Sequence, residues 1–195
     1  MNMRESILRK IRESVEVKQQ FFDTHADRIE AVCREMAQQF RLGRKLYVMG
    51  NGGSSCDAQH MAVEFKHPIH EKRRPLPAEV LVADVATLTA ISNDQDYSRV
   101  FVNQLRLLAQ PGDIAVAIST SGKSPNLIYA LETARGMGML TIALAGKDGG
   151  RFPNLADHCF VVPSFSIHRI QEVHAALIHV LWDITHVVLG EEDVI

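Results

Sequence analysis

From Lys45 onward the sequence alternates short apolar runs with longer stretches of helical periodicity: KLYVM, EVLVA, DIAVAIS, LTIALA and CFVVP stand apart, each followed by a polar turn. Parallel strands need long crossovers that helices usually provide, so this alternation predicts a parallel sheet wrapped by helices. The helices between the runs are expected at about 56–66, 97–109, 125–137 and 168–189. Upstream, Ile7, Ile11 and Val15 and then Ile29, Val32, Met36 and Phe40 recur at helical spacing. Residues 3–41 therefore read as two helices, with a break near Asp23-Thr24 where Thr24 can cap. No internal repeat, low-complexity segment or linker divides the chain. The expected architecture is α/β, one domain over 1–195: a three-layer α/β/α sandwich on a five-stranded parallel sheet, with N-terminal helices in 1–41 and the core in 45–189. The last helix carries Ile170, Val173, Leu177, Ile178, Leu181, Trp182 and Ile184, an apolar surface so broad that it is either deeply buried or shared with another subunit.

Composition removes several function classes. The 195 residues are 46% hydrophobic and 23% charged, enough apolar content for a core, and the formal charge of -2 offers no basic field for nucleic acid. Lys72-Arg73-Arg74, the one basic cluster, reads as a solvated loop. Cys33, Cys56 and Cys159 are odd in number and show no Cys-x-x-Cys spacing, which argues against a disulfide framework or zinc knuckle and for a reducing compartment. The N-terminal MNMRESILRKIRES is charged throughout, unlike a secretory signal, and no apolar run approaches a membrane span. The expected location is cytoplasmic, with neither nucleic acid nor membrane as partner.

Two turns after strands carry candidate binding groups. Gly50-Asn51-Gly52-Gly53-Ser54-Ser55 joins the first strand to a helix, at the carboxyl edge where α/β sheets bind ligands. As a dinucleotide fingerprint it fails at Ser55, and the first acid suited to a ribose, Asp84, comes late. Ser119-Thr120-Ser121-Gly122-Lys123-Ser124-Pro125-Asn126 clusters four hydroxyls before a helix, with Ser124 suited to the N-cap and Pro125 to the first helical position. Free N–H groups at a helix start plus hydroxyl donors form a neutral cradle for a phosphate dianion. The GKS string is no nucleotide P-loop, since that motif needs a glycine where Ala117 stands. Capping by Ser124 alone would leave Ser119, Thr120 and Ser121 without a role.

In the helix after the first turn, His60 and Glu64 are four apart and share a face, close enough to hold a common metal or proton, with Asp57 one turn earlier. Taken alone, such a pair is ordinary helix-surface chemistry worth roughly 0.2–0.5 kcal/mol. The last helix places Arg169, Gln171, Glu172, His174 and His179 in an apolar setting, where polar groups need partners.

In order along the chain, GNGGSSCDAQHMAVE, SNDQDYSRVF, ISTSGKSPN, GKDGG and RIQEVH resemble successive motifs of the phosphoheptose isomerases, a family built on the SIS fold. The resemblance implies a flavodoxin-like sandwich, usually a homotetramer with sites at subunit interfaces, that interconverts sedoheptulose 7-phosphate and D-glycero-D-manno-heptose 7-phosphate for surface-glycan precursors. It matches Ser119, Thr120, Ser121 and Ser124 to the family's phosphate loop. It matches His60, Glu64, Gln171 and His179 to a constellation that can bind zinc, with Glu64 and His179 also given the proton transfers. Asn51, Ser54, Ser55, Asp57 and Asp94 match positions lining the sugar site, beside Gly52, Gly53 and Gln171. The chemistry agrees, since aldose–ketose interconversion needs one group to move a proton between adjacent carbons and another to serve the oxygens. Gln171 and His179 are eight apart, about 12 Å along a straight helix, an awkward span for one compact metal site unless both side chains reach inward from opposite sides or a neighbouring subunit supplies a ligand.

The chain departs from the family after Glu64, where Lys66-His67-Pro68-Ile69-His70 replaces a small residue, Gly, Arg and an aromatic. Lys66, Arg73 or Arg74 could compensate, and a different sugar phosphate is the alternative. Besides a module that senses a sugar phosphate without isomerising it, the rival reading is a non-catalytic SIS regulator, such as a factor that associates with a replication initiator. That branch lacks the helix glutamate, so Glu64 favours an enzyme.

Overall fold

The computed structural model describes residues 2–69 and 72–193. Its five strands are β1 (Leu46–Gly50), β2 (Ala78–Val80), β3 (Ile114–Ile118), β4 (Leu140–Gly146) and β5 (His158–Val162). They form one parallel sheet in the order β2-β1-β3-β4-β5, the flavodoxin-like order whose reversal point lies between β1 and β3.

The helices are α1 (Met3–Arg41), α2 (Gly53–Lys66), α3 (Val85–Asp94), α4 (Val100–Leu108), α5 (Pro125–Gly136) and α6 (Ile167–Val188). Strand alternation sorts the core into two halves. Leu46, Val48, Ile114, Val116, Ile118, Ile142 and Leu144 face α1, α2 and α6, whereas Tyr47, Met49, Ala115, Ala117, Ala143 and Ala145 face α4 and α5. The small alanines let α5 come close to the sheet. Both faces are covered, which is why β1 and β3 read as unbroken apolar runs.

Three sequence expectations need correction. Residues 3–41 form a single helix of 39 residues, because the Thr24 hydroxyl donates back to the Gln20 carbonyl at 2.7 Å and does not cap a new helix. Helix α3 was not anticipated: Asp84 caps it by accepting from Thr87 N–H at 3.0 Å, but it fully buries no residue and packs only the partly buried Leu88 and Ile91 against the core, a weak periodic signal. Arg73 is not solvated. Its side chain is 2% exposed, ion-paired with Asp183 and stacked over Trp182 at 4.6 Å, leaving Lys72 and Arg74 as the exposed members of the cluster. His70, in the segment that departs from the family, lies outside the described residues.

Helix α6 packs between α1 and α2, and polar contacts fasten its first turns to α1. Ser14 donates to Glu172 at 2.6 Å, and Arg169 donates to the Lys10 carbonyl at 2.9 Å. Beyond these contacts the start of α1 leaves Ile7, Ile11 and Val15 about 60% exposed, at 61%, 59% and 59%.

Candidate active site

The strand register sets the two candidate loops side by side: Gly50 at the end of β1 pairs with Ile118 at the end of β3. A reciprocal amide pair ties them, Asn51 to Asn126 and Asn126 to Asn51, both at 2.9 Å. Tyr97 donates its hydroxyl to the same Asn51 oxygen at 3.1 Å. The Asn51 side chain, expected to line the sugar site, is thus committed to holding the loops together. Asn126 is buried and Tyr97 half exposed; neither was singled out, although both lie inside the quoted motifs.

The first loop delivers the start of α2. Ser54 is buried, and Ser55 donates to the Gly52 carbonyl at 2.6 Å. Gly53 has no side chain for a reason of space: a Cβ there would lie 2.2 Å from the Gln171 amide nitrogen, so α6 lays this side chain directly on the first turn of α2. One turn later Asp57 is half-buried, and its Oδ2 has no hydrogen-bond partner among the described residues. Burial raises its pKa, with the nearby His60 pulling the other way.

In the second loop Ser119 is buried and its oxygen accepts from the Ser121 and Gly122 N–H groups at 3.3 and 3.1 Å. The chain therefore curls around Ser119. Ser124 occupies the N-cap of α5 with Pro125 following, as expected, yet its hydroxyl makes no capping bond. Among the described residues the Thr120, Ser121 and Ser124 hydroxyls have no protein partner, which leaves them free to donate to a ligand at the helix start.

Helices α2 and α6 bring His60, Glu64 and His179 together, with one ligand atom of each lying within 4.8 Å of the others. His60 Nε2 is 3.2 Å from Glu64 Oε1 and 3.1 Å from His179 Nε2, the two rings meeting edge to face. Two ligands of a tetrahedral ion bound at about 2.0 Å are separated by about 3.3 Å, so these spacings fit a common metal. Gln171 stands apart from this trio. Its amide rests at Gly53, about 10 Å of helix rise before His60. Beside the trio, Glu64, His179, Ile69, Val180, Trp182 and Asp183 line a cavity of about 330 Å³.

The remaining candidates fall elsewhere. Asp94 ends α3, exposed, its carboxylate accepting from the Asn93 amide at 2.9 Å. Arg73 is committed to Asp183 and to the Glu192 carbonyl, and Arg74 to Glu191, so neither presents a free guanidinium for a substrate. His174 is buried, bonded to the Ala145 carbonyl at 3.0 Å, and burial lowers its pKa to about 4. It is a neutral core residue.

The SIS domain family matches residues 11–146. Relatives named phosphoheptose isomerase include one from Roseiflexus sp. (strain RS-1), 43% identical over 95% of this chain and 94% of its own length. Another, from Aquifex aeolicus (strain VF5), is 41% identical over 97% of this chain and 99% of its own. The chain belongs to the phosphoheptose isomerase family of SIS-domain proteins. The solved structure of a phosphoheptose isomerase from Francisella tularensis superposes on this family member with a TM-score of 0.91 at 34% identity, covering 95% of this chain and 99% of that one. Similarity over nearly the whole length covers the parallel sheet and the helices on both its faces.

Proposed function

We propose that the protein is an aldose–ketose isomerase that converts D-sedoheptulose 7-phosphate to D-glycero-D-manno-heptose 7-phosphate through a cis-enediol. The observation that carries this reading is the convergence of Glu64 with two histidines across α2 and α6, in a chain whose β3–α5 loop offers unpartnered hydroxyls. Thr120, Ser121 and Ser124, with the free N–H groups of the α5 start, hold the 7-phosphate and anchor the far end of the sugar. Binding energy gathered there is used to orient the other end against the acid–base pair.

At that end Glu64 takes a proton from C1 of the open-chain ketose as the enediol forms, and returns it to C2 on the same face. His179 gives a proton to the C2 oxygen as the carbonyl becomes a hydroxyl, and takes the proton of the C1 hydroxyl as the new carbonyl forms. Each group ends the cycle in its starting state, so the reaction needs no external oxidant or base. The apolar wall of Ile69, Val180 and Trp182 beside Glu64 limits water near the enediol.

His60, Glu64 and His179 would hold one zinc ion per subunit, for which an imidazole and carboxylate donor set is suited. When bound, zinc supplies polarisation of the two substrate oxygens. A fourth ligand, Gln171, would come from a neighbouring subunit, since within one chain it lies at Gly53. A homotetramer with sites at its interfaces fits the exposed Ile7, Ile11 and Val15 of α1. A cytoplasmic location fits three free cysteines, one of them exposed, and the absence among the described residues of any helix long and apolar enough to cross a membrane.

The test is turnover of sedoheptulose 7-phosphate followed by NMR, with and without added zinc, alongside Glu64→Gln. The variant should lose activity by about 10²–10⁴-fold while retaining sugar-phosphate binding. Wild-type protein that binds the sugar phosphate without converting it would sink the isomerase reading.

A further inference from the structure

The turn after β4, Gly146-Lys147-Asp148-Gly149-Gly150, contributes no reacting group, yet its backbone presses on the serine loop. Strands β3 and β4 are neighbours with Ile118 opposite Leu144, so the segments leaving their carboxyl ends run side by side. Two glycines allow the approach. A Cβ on Gly122 would lie 2.0 Å from the Gly149 carbonyl oxygen, and one on Gly150 would lie 2.4 Å from the Ser121 carbonyl oxygen. Both separations are far inside van der Waals contact, so backbone meets backbone with no space for a side chain.

Polar ties hold this contact in place. Arg151 N–H donates to the Gly122 carbonyl at 3.0 Å. Asp148 accepts from the Lys123 ammonium at 2.9 Å through one oxygen and from Gly150 N–H at 3.2 Å through the other. The Arg151 guanidinium reaches Glu132 on α5 at 3.1 Å, fastening the turn to the helix that follows the serine loop as well as to the loop. Lys147 is held at a φ of 58°, a left-handed conformation uncommon for a residue with a Cβ, while its N–H donates to the Ser164 carbonyl at 3.0 Å. The serine loop has little other support on this side, since Ser124 makes no capping bond and only Ser119 organises the chain from within.

We propose that the turn over 147–151 is a positioning element for the phosphate loop, with Gly150 and Asp148 its working residues. Direct backbone contact sets the spacing of the Thr120, Ser121 and Ser124 donors and so determines how tightly a phosphoryl group is held. The turn takes no part in proton transfer. The inference rests on the serine loop being the phosphate site, and is independent of whether the bound sugar is isomerised.

Calorimetric titration with inorganic phosphate tests it on wild type, Gly150→Ala, Asp148→Asn and Gly43→Ala. Gly43 has a φ of 75° but a Cβ there meets nothing within 4 Å, so its alanine variant carries backbone strain without a clash. Gly150→Ala should weaken phosphate binding about tenfold by displacing the donors a fraction of an ångström, and Asp148→Asn about threefold through loss of an exposed pair. Gly43→Ala should lower the melting temperature and leave phosphate binding unchanged. Unaltered phosphate binding in Asp148→Asn and, where it folds, in Gly150→Ala overturns the proposal. So does equal weakening in Gly43→Ala, because strain alone would then suffice. A wild type that binds phosphate but does not turn over would defeat the isomerase reading and leave this comparison intact.

Discussion

Acid should loosen helix α6 through His174, and the size of the effect follows from its burial. His174 lies three residues after Gln171 and five before His179, its ring fully buried with Nε2 against the Ala145 carbonyl and Nδ1 unpartnered among the described residues. Burial dominates and lowers its pKa from 6.5 to about 4, although the carbonyl contact pulls upward. The unfolded chain then takes up a proton below pH 6.5 that the folded chain refuses until about pH 4, so stability falls with acid across that window and is fully present above it. Integrated from about pH 7.5 to about pH 4.5, this one group costs about 2–3 kcal/mol. Urea unfolding at fixed protein concentration, for wild type and His174→Leu at both pH values, isolates the contribution. The variant has lower stability at neutral pH but should lose about 2–3 kcal/mol less than wild type on acidification. His186 and His25, also lowered chiefly by burial, titrate alike in both proteins and cancel from the difference. Equal losses in the two proteins would refute the assignment of His174 as a buried neutral residue.

Two further outcomes follow from the geometry. Arg73→Met should destabilise the fold by about 3 kcal/mol, since it strands a largely buried Asp183 and removes the stacking on Trp182; urea unfolding reads this, and a change under 1 kcal/mol, the range of an exposed pair, would contradict it. Added zinc at about 100 times its dissociation constant should stabilise wild type by about 2.7 kcal/mol, and neither His60→Ala nor His179→Ala should respond; a thermal melt with equal shifts in all three would place the metal elsewhere.

Much of the site was legible because its chemistry is written in local spacing. His60 and Glu64 share a face through the helical repeat, and both candidate loops sit at strand ends that the apolar runs announce. Helix rise made a joint site for Gln171 and His179 awkward without excluding it, and the structure sets Gln171 at Gly53. Asn126 and Tyr97 were missed because their partner, Asn51, is distant in sequence and an amide pair leaves no periodic mark. Arg73 was misread for a related reason: a run of three cations resembles a solvated loop, and only the arrival of α6 beneath it provides Asp183 and Trp182.

Local rules and burial patterns in the sequence determined the layer order, the parallel sheet, the serine-rich helix start and the family, because strand alternation, helix-start composition and motif order are properties of neighbouring residues. Only the structure decided that α1 runs unbroken, that α3 forms without fully burying a residue, and that His179 meets His60 at 3.1 Å. The last of these depends on segments far apart in the chain, whereas the first two turn on short-range hydrogen bonds, Thr24 to the Gln20 carbonyl and Thr87 to Asp84, that compete with equally weak local alternatives.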